Sequence, residues 1–583
     1  MSKNAQKYDA WNPGLNSEIP GRLLPLVTLY RQENSDTDYP TAKEASEFWG
    51  LETHKVIAFK VNRLVVHELL IRVTADLYVP DGPSYEELGI NLRNMVGKIL
   101  NEYIQPRMNE LEQRFAHFRQ EVERKINAIL DSDIYNRSSA PPPKENASFF
   151  IRFFRKEAKS IQVELPEILA LADWQKNVSA SKDGFDLACY ESLLVFVGSM
   201  VGDRGRLIAD KDMVCRFATN FICNNYGSQM IGKWIEPIIA EAVKNEGYRF
   251  LPYQKSPFFM NVKGASAAGK STIRPLQRKL AERLDIPWED FALVSPDYWR
   301  KFLLDYDGLG DDFKYAAMLT GQELEIIDKK LDTYMATKAA KSEMPHLLID
   351  RFRFDSFTPS HDRQKESTLI SRFGDTVYLF FVITSPGETV ERAWARGGKT
   401  GRYKAVDDLL FHNIEAYTGM PQLFFSWVTT TKQKIHFEFL DNDVPLGQLP
   451  RTVAFGWNDK ITILDMECMQ HIIDYQNINI EARRPEDVFL NDEKQKGDFI
   501  KTCVDKIENV TFADHKTAKI YGQTNAGKWV YKSDEFPGNP DFNLDDLGLT
   551  QEAGVQTLSQ NNAECVEKMN ISDEKKFTVG SWG

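Results

Sequence analysis

The feature that most constrains the fold of this chain is a nine-residue glycine-rich stretch that follows a short apolar run. The run from Phe258 to Val262 has the composition of a buried strand, and the stretch GASAAGKST begins two residues later. Two glycines at this spacing let the backbone curl so that successive N–H groups point at one anion. The order of strand, loop and helix therefore predicts a nucleotide-binding loop whose residues are Gly264, Ala265, Ser266, Ala267, Ala268, Gly269, Lys270, Ser271 and Thr272.

Two residues of this loop have predicted chemical roles. We expect Lys270 to reach the β and γ phosphate oxygens of ATP and to act in catalysis, and Ser271 to ligate Mg²⁺. The helix that follows would direct its positive end at the same anion. The alternative is a glycine-rich turn with a solvated lysine, which requires strand, loop and helix to occur in this order by chance.

The chain contains a second stretch with the same spacing of glycines and lysine. It runs from Gly522 to Lys528 as GQTNAGK, but Trp529 replaces the hydroxyl residue and no helical pattern follows. We therefore predict that this second stretch is a turn between two short strands.

Composition excludes several classes of protein. The 583 residues, 42% of them apolar and 27% charged, favour two or three domains. The longest apolar stretch, Leu193 to Val201, is far shorter than the roughly 20 residues that span a bilayer. The N-terminus leads into no apolar segment, so we expect no secretory signal and a cytoplasmic location.

Charge and metal-ligand patterns narrow the class further. The net charge of -12 argues against generic nucleic-acid binding, and the nine histidines form no zinc motif. The six cysteines form no CxxC pair, which indicates buried thiols in a reducing compartment.

The pattern along the chain predicts four regions: a mainly helical N-terminal region (1–140), a helical region (149–247), an α/β P-loop kinase-like domain (248–475) and a C-terminal extension (476–583). A proline-rich linker at 136–146 separates the first two, and a weakly ordered tail begins near residue 536. A capping box at Ser84 starts the first helical unit, and Pro106 should kink or split its long helix. One apolar stripe is predicted on a long helix; we favour packing within the chain over a partner-binding face. The stripe consists of Met108, Leu111, Phe115, Phe118, Val122, Ile126 and Ile129.

The predicted nucleotide-binding domain alternates strands and helices. This order implies right-handed crossovers and a parallel sheet with its ligand at the carboxyl ends of the strands. Pro275, just past the first turn of the helix after the loop, should bend that helix. The further strands are predicted at 291–294, 347–349, 377–383 and 435–440.

Acidic residues follow two of these strands. Asp297 comes just after the strand at 291–294 and could orient or deprotonate an acceptor hydroxyl. An equally good alternative makes Ser295 a helix N-cap with Asp297 favouring the helix dipole. Asp350 ends the strand at 347–349, which favours a role in holding Mg²⁺ over a surface turn.

Arginines lie close to both acids in sequence. Arg351 and Arg353 follow Asp350 and could bind an anionic substrate or pair with nearby Asp355 or Asp362. The segment from Glu391 to Arg402 concentrates cations and glycines, as expected of a lid. Arg392 and Arg396, four residues apart on one helix face, could neutralise the transferred phosphoryl group. The alternative is a solvated basic helix.

The combined pattern resembles the P-loop kinases of the zeta-toxin type. The resemblance covers about residues 258–402, roughly a quarter of the chain. Zeta toxins use ATP and Mg²⁺ to phosphorylate a hydroxyl of UDP-N-acetylglucosamine. The residues that carry the resemblance are the loop at 264–272, Asp297 with Arg300, Asp350, Arg392, Arg396 and Arg402.

The resemblance implies roles for some of these residues. Asp297 would be the base that receives the hydroxyl proton, Lys270 the phosphate-binding lysine, and Arg392 and Arg396 the lid cations; Arg300 and Arg402 are expected to bind substrate. One departure leaves the acceptor open, because Asp350-Arg351-Phe352-Arg353 stands where the family has a small Gly-Thr-like pair. The size of the chain and its polar tail would suit a secreted bacterial effector.

Two functions follow from the sequence. The first is a kinase that transfers phosphate to a small-molecule or sugar-nucleotide hydroxyl. The second is a P-loop ATPase or nucleotide switch that controls a protein partner through its N-terminal helices. Paired lid arginines favour the kinase, because a donor and an acceptor that close together explain them.

Overall fold

The computed structural model describes residues 8–82, 86–136, 165–351, 376–429, 433–445, 447–490, 498–533 and 571–583. The chain divides into two compact units. The first contains Met1–Pro20, Ile71–Met95 and Gly247–Gly583, and the second contains Gly21–Leu70 and Val96–Glu246. The predicted boundary near residue 475 falls inside the first unit. The capping box at Ser84, most of the predicted linker at 136–146 and residues 536–570 of the predicted tail lie outside the described residues.

The described α-helices are numbered in chain order. They are α1 (Tyr39–Trp49), α2 (Thr53–Val56), α3 (Val61–Asp76), α4 (Glu87–Lys98), α5 (Met108–Leu130), α6 (Pro166–Ala180), α7 (Gly184–Arg204), α8 (Lys211–Ile222), α9 (Ser228–Glu246), α10 (Arg274–Arg283), α11 (Arg300–Leu303), α12 (Ala316–Leu319), α13 (Gly321–Ala340), α14 (Pro386–Thr400), α15 (Val406–Val428), α16 (Met466–Asp474) and α17 (Phe499–Lys506).

Short 3-10 segments occupy Gly21–Leu26, Gln105–Arg107, Lys270–Ile273, Trp288–Asp290, Pro296–Trp299, Asp307–Tyr315, Pro485–Asp487 and Ile571–Phe577, and π-helical segments occupy Ile99–Ile104, Asp131–Tyr135 and Cys223–Gly227.

The strands are β1 (Phe258–Gly264), β2 (Phe291–Val294), β3 (His346–Asp350), β4 (Thr376–Ile383), β5 (Lys434–Asp441), β6 (Arg451–Trp457), β7 (Lys460–Ile463), β8 (Asn509–Ala513), β9 (Ile520–Asn525) and β10 (Lys528–Lys532).

The second unit is helical. The predicted apolar stripe lies on α5, and all seven of its residues are buried, which confirms packing within the chain. Pro106 lies in the 3-10 segment before α5, where the helical path is interrupted as predicted. Aromatic packing adds to the core, because the ring centroids of Trp49 and Phe196 lie 5.1 Å apart at an edge-to-face angle. Among the described residues, α7 is the one helix long and apolar enough to cross a membrane. A single such helix is weak evidence, since core helices of globular proteins pass the same test.

The first unit is built on a ten-stranded sheet with the order β10-β9-β8-β7-β6-β5-β4-β1-β3-β2. The five strands β2, β3, β1, β4 and β5 are parallel, as predicted. All seven residues of β1 are buried, as expected for a strand covered on both faces. The carboxyl ends of these five strands consequently share one edge, where ligands bind in parallel α/β sheets.

The sheet continues beyond the predicted parallel part. Strands β6 to β10 add mainly antiparallel pairs, with β7 and β8 the parallel exception. The second glycine-lysine stretch forms the hairpin of β9 and β10, which confirms the predicted turn. Its turn residues Ala526 and Gly527 have φ angles of 46° and 75°, the left-handed pair that a tight hairpin requires.

The helix after the glycine-rich loop at 264–272 starts later than predicted. Lys270–Ile273 is a 3-10 segment, and α10 begins at Arg274 with Pro275 in its first turn. The N–H groups in the first turn of an α-helix have no acceptor within the helix. Pro275, which lacks an N–H, therefore removes no helical hydrogen bond there. Where we expected a bend, the backbone changes from a 3-10 segment to an α-helix.

The last residues of the chain pack against the sheet. Glu438 of β5 is buried and accepts hydrogen bonds from the backbone N–H groups of Val579 (2.8 Å) and Gly580 (2.9 Å). The ring of Trp582 lies 4.8 Å from that of Phe455. Residues 571–583, which we expected in a weakly ordered tail, are thus part of the first unit. Five cysteines are described, and all are buried free thiols, as predicted.

Candidate functional site

The glycine-rich loop at 264–272 is curled around its own lysine. Ala267 and Gly269 have φ angles of 64° and 94°, in the left-handed region. The Lys270 ammonium donates to the carbonyl oxygens of Gly264 (3.0 Å) and Ala265 (2.9 Å). The cation therefore lies inside the curve of the loop, where phosphate oxygens could replace these carbonyl acceptors.

Two residues that the sequence analysis missed anchor this loop. The carbonyl of Ala268 accepts from the hydroxyl of Thr384 (3.0 Å) and from the side-chain amide of Asn442 (2.8 Å). Thr384 follows β4 and Asn442 follows β5. They could have been found by the criterion that found Asp297 and Asp350, because each is a polar residue directly after an apolar strand.

A side chain would clash at Gly269 and would be tightly packed at Gly264. A Cβ on Gly269 would lie 2.2 Å from the Asn442 amide nitrogen, and one on Gly264 would lie 3.1 Å from Val382. The position of Gly269 therefore needs glycine for its backbone angle and for its space.

Asp297 is held by two arginines. It lies in the 3-10 segment after β2, half-buried, and accepts from Arg300 Nε at 3.0 Å and from the Arg402 guanidinium. Burial by itself would raise its pKa, but Arg402 and Arg300 outweigh that effect and hold the pKa well below its ordinary value. Ser295 occupies the N-cap position but makes no side-chain capping bond. Asp297 is therefore an ionised carboxylate at neutral pH.

Asp350 lies at the carboxyl end of β3, opposite Val262 of β1. Burial lowers the pKa of Lys270, while the charges of Asp350 and Asp297 oppose this change. Asp297 and Asp350 line the same cavity, and the charges of both act on Lys270.

Arg351 is buried and forms ion pairs with Asp328 (2.8 Å) and Asp332. The partners Asp355 and Asp362 that we considered, and the predicted substrate-binding Arg353, lie outside the described residues.

The predicted lid segment is helix α14 and the turn after it. Arg392 donates to Glu388 and to the backbone carbonyl of Asn442, at 2.8 Å in each case, so it supports the residue that anchors the loop. Gly401 ends the helix at φ 75°, and Arg402 follows and reaches Asp297. Arg402 therefore contacts Asp297. Arg392 instead contacts Glu388 and Asn442, beside the loop.

The donor atoms near the loop suit Mg²⁺. Ser271 and Asp350 offer hydroxyl and carboxylate oxygens, the ligands that this ion prefers. Among the described residues no group of three or more His, Cys, Asp or Glu side chains could hold a metal ion alone. This set fits an ion that completes its coordination with water and phosphate oxygens, as Mg²⁺ does in nucleotide sites.

Two cavities meet at Asp297 and Arg300, which line both. The larger, about 910 Å³, lies between α13 and α15 at the carboxyl ends of β2 and β3, and Asp350 and Arg351 also line it. The smaller, about 210 Å³, is bordered by α4, the turn after β2 and the end of α14. Its six cationic side chains are Arg93, Arg300, Lys301, Arg396, Lys399 and Arg402.

Comparisons with known proteins give partial likenesses. No family model and no curated protein matches the chain. A solved structure from the PezAT chromosomal toxin–antitoxin system of Streptococcus pneumoniae is 16% identical, over 36% of this chain and 76% of that chain, with a TM-score of 0.24. A structure described as a candidate kinase from Chloroflexus aurantiacus is 22% identical, over 26% of this chain and 71% of that chain, with a TM-score of 0.18. At such TM-scores neither likeness assigns an activity to this chain.

Proposed function

We propose that this protein is an ATP- and Mg²⁺-dependent phosphotransferase that phosphorylates a hydroxyl of a small molecule, in the class of sugar nucleotides that zeta-toxin-type kinases use. The observation that carries the proposal is the position of Asp297, which lines both cavities, the larger one together with Asp350, and which pairs with Arg300 and Arg402. A role as a bacterial toxin or effector would follow from such an activity.

The loop, its acidic neighbours and two arginines would have separate roles in this reaction. The loop at 264–272 and Lys270 would bind the phosphates of the donor, while Ser271 and Asp350 would hold Mg²⁺, which supplies charge neutralisation when bound. The larger cavity would hold the acceptor, whose hydroxyl faces Asp297. Arg396 and Arg402 would neutralise charge on the transferred group.

The transfer balances as follows. The acceptor oxygen forms a bond to the γ-phosphorus, the bond from that phosphorus to the bridging oxygen of ADP breaks, and the hydroxyl proton passes to Asp297. A carboxylate with a lowered pKa is a weak base. It suits a loose phosphoryl-transfer transition state, in which the catalyst chiefly orients the nucleophile and proton transfer is late.

The test is incubation with γ-labelled ATP, Mg²⁺ and a panel of nucleotide sugars, nucleosides, lipids and proteins. We expect label on a small molecule and a loss of at least ~100-fold in transfer for Asp297→Asn, since its oriented carboxylate is removed. Asp290→Asn is the matched control, because Asp290 precedes β2 at the opposite end of the strand and pairs with Arg249.

Label found only as free phosphate, at the same rate in Asp297→Asn, would refute the kinase and leave the nucleotide switch. That second function would then require a protein partner bound differently in the presence of ATP and ADP.

A further inference from the structure

The smaller cavity carries a strong positive charge. Six cationic and two acidic side chains line it, and one of the acids, Asp297, is already paired with Arg300 and Arg402. Converging cations in a confined space attract oxyanions, and guanidinium groups bind phosphate and carboxylate oxygens in pairs. The chemistry of the lining therefore selects an anion.

The smaller cavity is separate from the loop that would bind the donor's phosphates. None of the loop residues 264–272 lines the smaller cavity. Its volume of about 210 Å³ admits a phosphate, a diphosphate or a carboxylate group, whereas a whole nucleotide needs the larger one. Asp297 and Arg300 line both cavities, so a molecule with groups in both would contact these two residues.

A segment distant in sequence completes the smaller cavity. Residues 71–95 belong to the first unit, and Trp299 Nε1 donates to Thr74 at 3.2 Å and Trp288 Nε1 to Asp81 at 3.3 Å. These bonds tie the segment to residues that flank β2.

Gly89 lets helix α4 approach the turn that holds Asp297. A Cβ on Gly89 would lie 2.7 Å from the ring of Tyr298 and 3.0 Å from Arg93 Nη1. Arg93 is half-buried and lines the smaller cavity, and its partial removal from water lowers its pKa. The close approach places this cation in the cavity wall.

We propose that the smaller cavity binds an anionic group of the acceptor, a phosphate, diphosphate or carboxylate, and that Arg93 is a specificity-determining residue for it. This inference rests on the proposed phosphotransferase, because it assigns a part of that enzyme's acceptor. Arg93 lies outside the stretch that resembles zeta-toxin kinases, so the acceptor group would be read by a segment that the resemblance does not cover.

The test separates this cavity from the donor loop. In the full-length Lys270→Ala protein, we would measure the dissociation constants of inorganic phosphate, pyrophosphate and acetate by calorimetry. We expect the double variant Lys270→Ala/Arg93→Gln to bind the preferred anion at least ~10-fold more weakly, since a charged hydrogen-bond donor is lost. Arg93→Lys should retain part of the affinity, which shows that the site still forms. Lys98→Gln is the matched control, because Lys98 lies on the same helix and pairs with Glu246.

The pattern of anions identifies the group. Tighter binding of pyrophosphate than of phosphate indicates a diphosphate, and tighter binding of acetate indicates a carboxylate. Equal affinity in the Arg93→Gln and Lys98→Gln double variants, or no anion binding in the Lys270→Ala protein, overturns the inference.

The anion measurement needs no turnover, so it also separates the two proposals. If the labelled-ATP panel fails while Arg93 still governs anion binding, the phosphotransferase is refuted and the anion site remains. If transfer occurs but Arg93→Gln leaves the Michaelis constant of the acceptor unchanged, this inference alone fails.

Discussion

The loop at Gly264–Thr272 and the hairpin at Gly522–Lys528 have the same spacing of two glycines and a lysine, but they form different structures. The first follows a parallel strand buried along its whole length and leads into a 3-10 turn and α10. The second joins two antiparallel strands through a two-residue turn. The spacing alone therefore does not define a phosphate site.

The neighbours of each lysine explain the difference. Lys270 follows the central strand of the parallel half, so Asp350, Thr384 and Asn442 arrive at the same edge from the strands around it. Lys528 begins a strand near the end of the sheet, and its side chain is exposed. Of the two lysines, Lys270 is the one that lies at the sheet edge where Asp350, Thr384 and Asn442 also lie.

The largest expected effect comes from removing each lysine in turn. Lys270→Ala should lower phosphate transfer at least ~100-fold, because the cation that meets the β and γ phosphates is lost. Lys528→Ala should leave transfer unchanged, because its side chain lies in solvent on a hairpin. Initial rates with γ-labelled ATP measure both.

The affinity of each variant for ATP is a second, independent measurement. We expect weaker binding of ATP by Lys270→Ala and unchanged binding by Lys528→Ala. A similar loss in both variants would contradict the assignment of the first loop as the donor site.

The local parts of this comparison could be read from the sequence, and the non-local parts could not. The strands that became β1 to β5 were predicted to within two residues at each end, because continuous apolar runs between polar turns are a local signal. The hairpin was predicted from a different local signal, Trp529 in place of the hydroxyl residue and no helical pattern after it. Its membership of the same sheet as β1 was not, because pairing between distant strands leaves no periodic pattern in one sequence.

The site residues also fall into two groups, those marked by their local sequence and those brought in by tertiary packing. The loop, Asp297 and Asp350 are marked by their position directly after a strand. The pairing of Arg402 with Asp297 and the position of Arg93 depend on tertiary packing, which brings together residues more than a hundred positions apart. The sequence thus indicates the candidate functional residues more reliably than it indicates which of them are in contact.

A smaller effect is expected from removing Arg402, the arginine that pairs with Asp297. Arg402→Gln should lower transfer about 10-fold and should also move the acid limb of the pH–rate profile upward. Arg402 and Arg300 hold the pKa of Asp297 low, so the carboxylate stays ionised as the pH falls below the ordinary range near 4. Losing one cation raises that pKa, and activity is then lost at a higher pH.

The matched variant is Arg402→Lys, which keeps the charge and should keep the acid limb near its wild-type position. Rates measured from pH 8 down to the lowest pH at which each protein stays folded, in buffers of constant ionic strength, give both profiles. Identical acid limbs in Arg402→Gln and wild type would show that Asp297 is not the group that must be ionised.

The smallest effects should come from the second glycine of each stretch, and they test the comparison most directly. Gly269 and Gly527 have φ angles of 94° and 75°, so alanine is strained at both, at about 1 kcal/mol of unfolding free energy. At Gly269 the new Cβ would also lie 2.2 Å from the Asn442 amide, whereas no atom lies within 4 Å of a Cβ at Gly527. Gly269→Ala should therefore destabilise more than Gly527→Ala in urea unfolding. It alone should raise the Michaelis constant for ATP, because Asn442 must move and release the Ala268 carbonyl that holds the loop. Equal losses of stability with unchanged ATP kinetics would mean that the Asn442 contact does not shape the donor site.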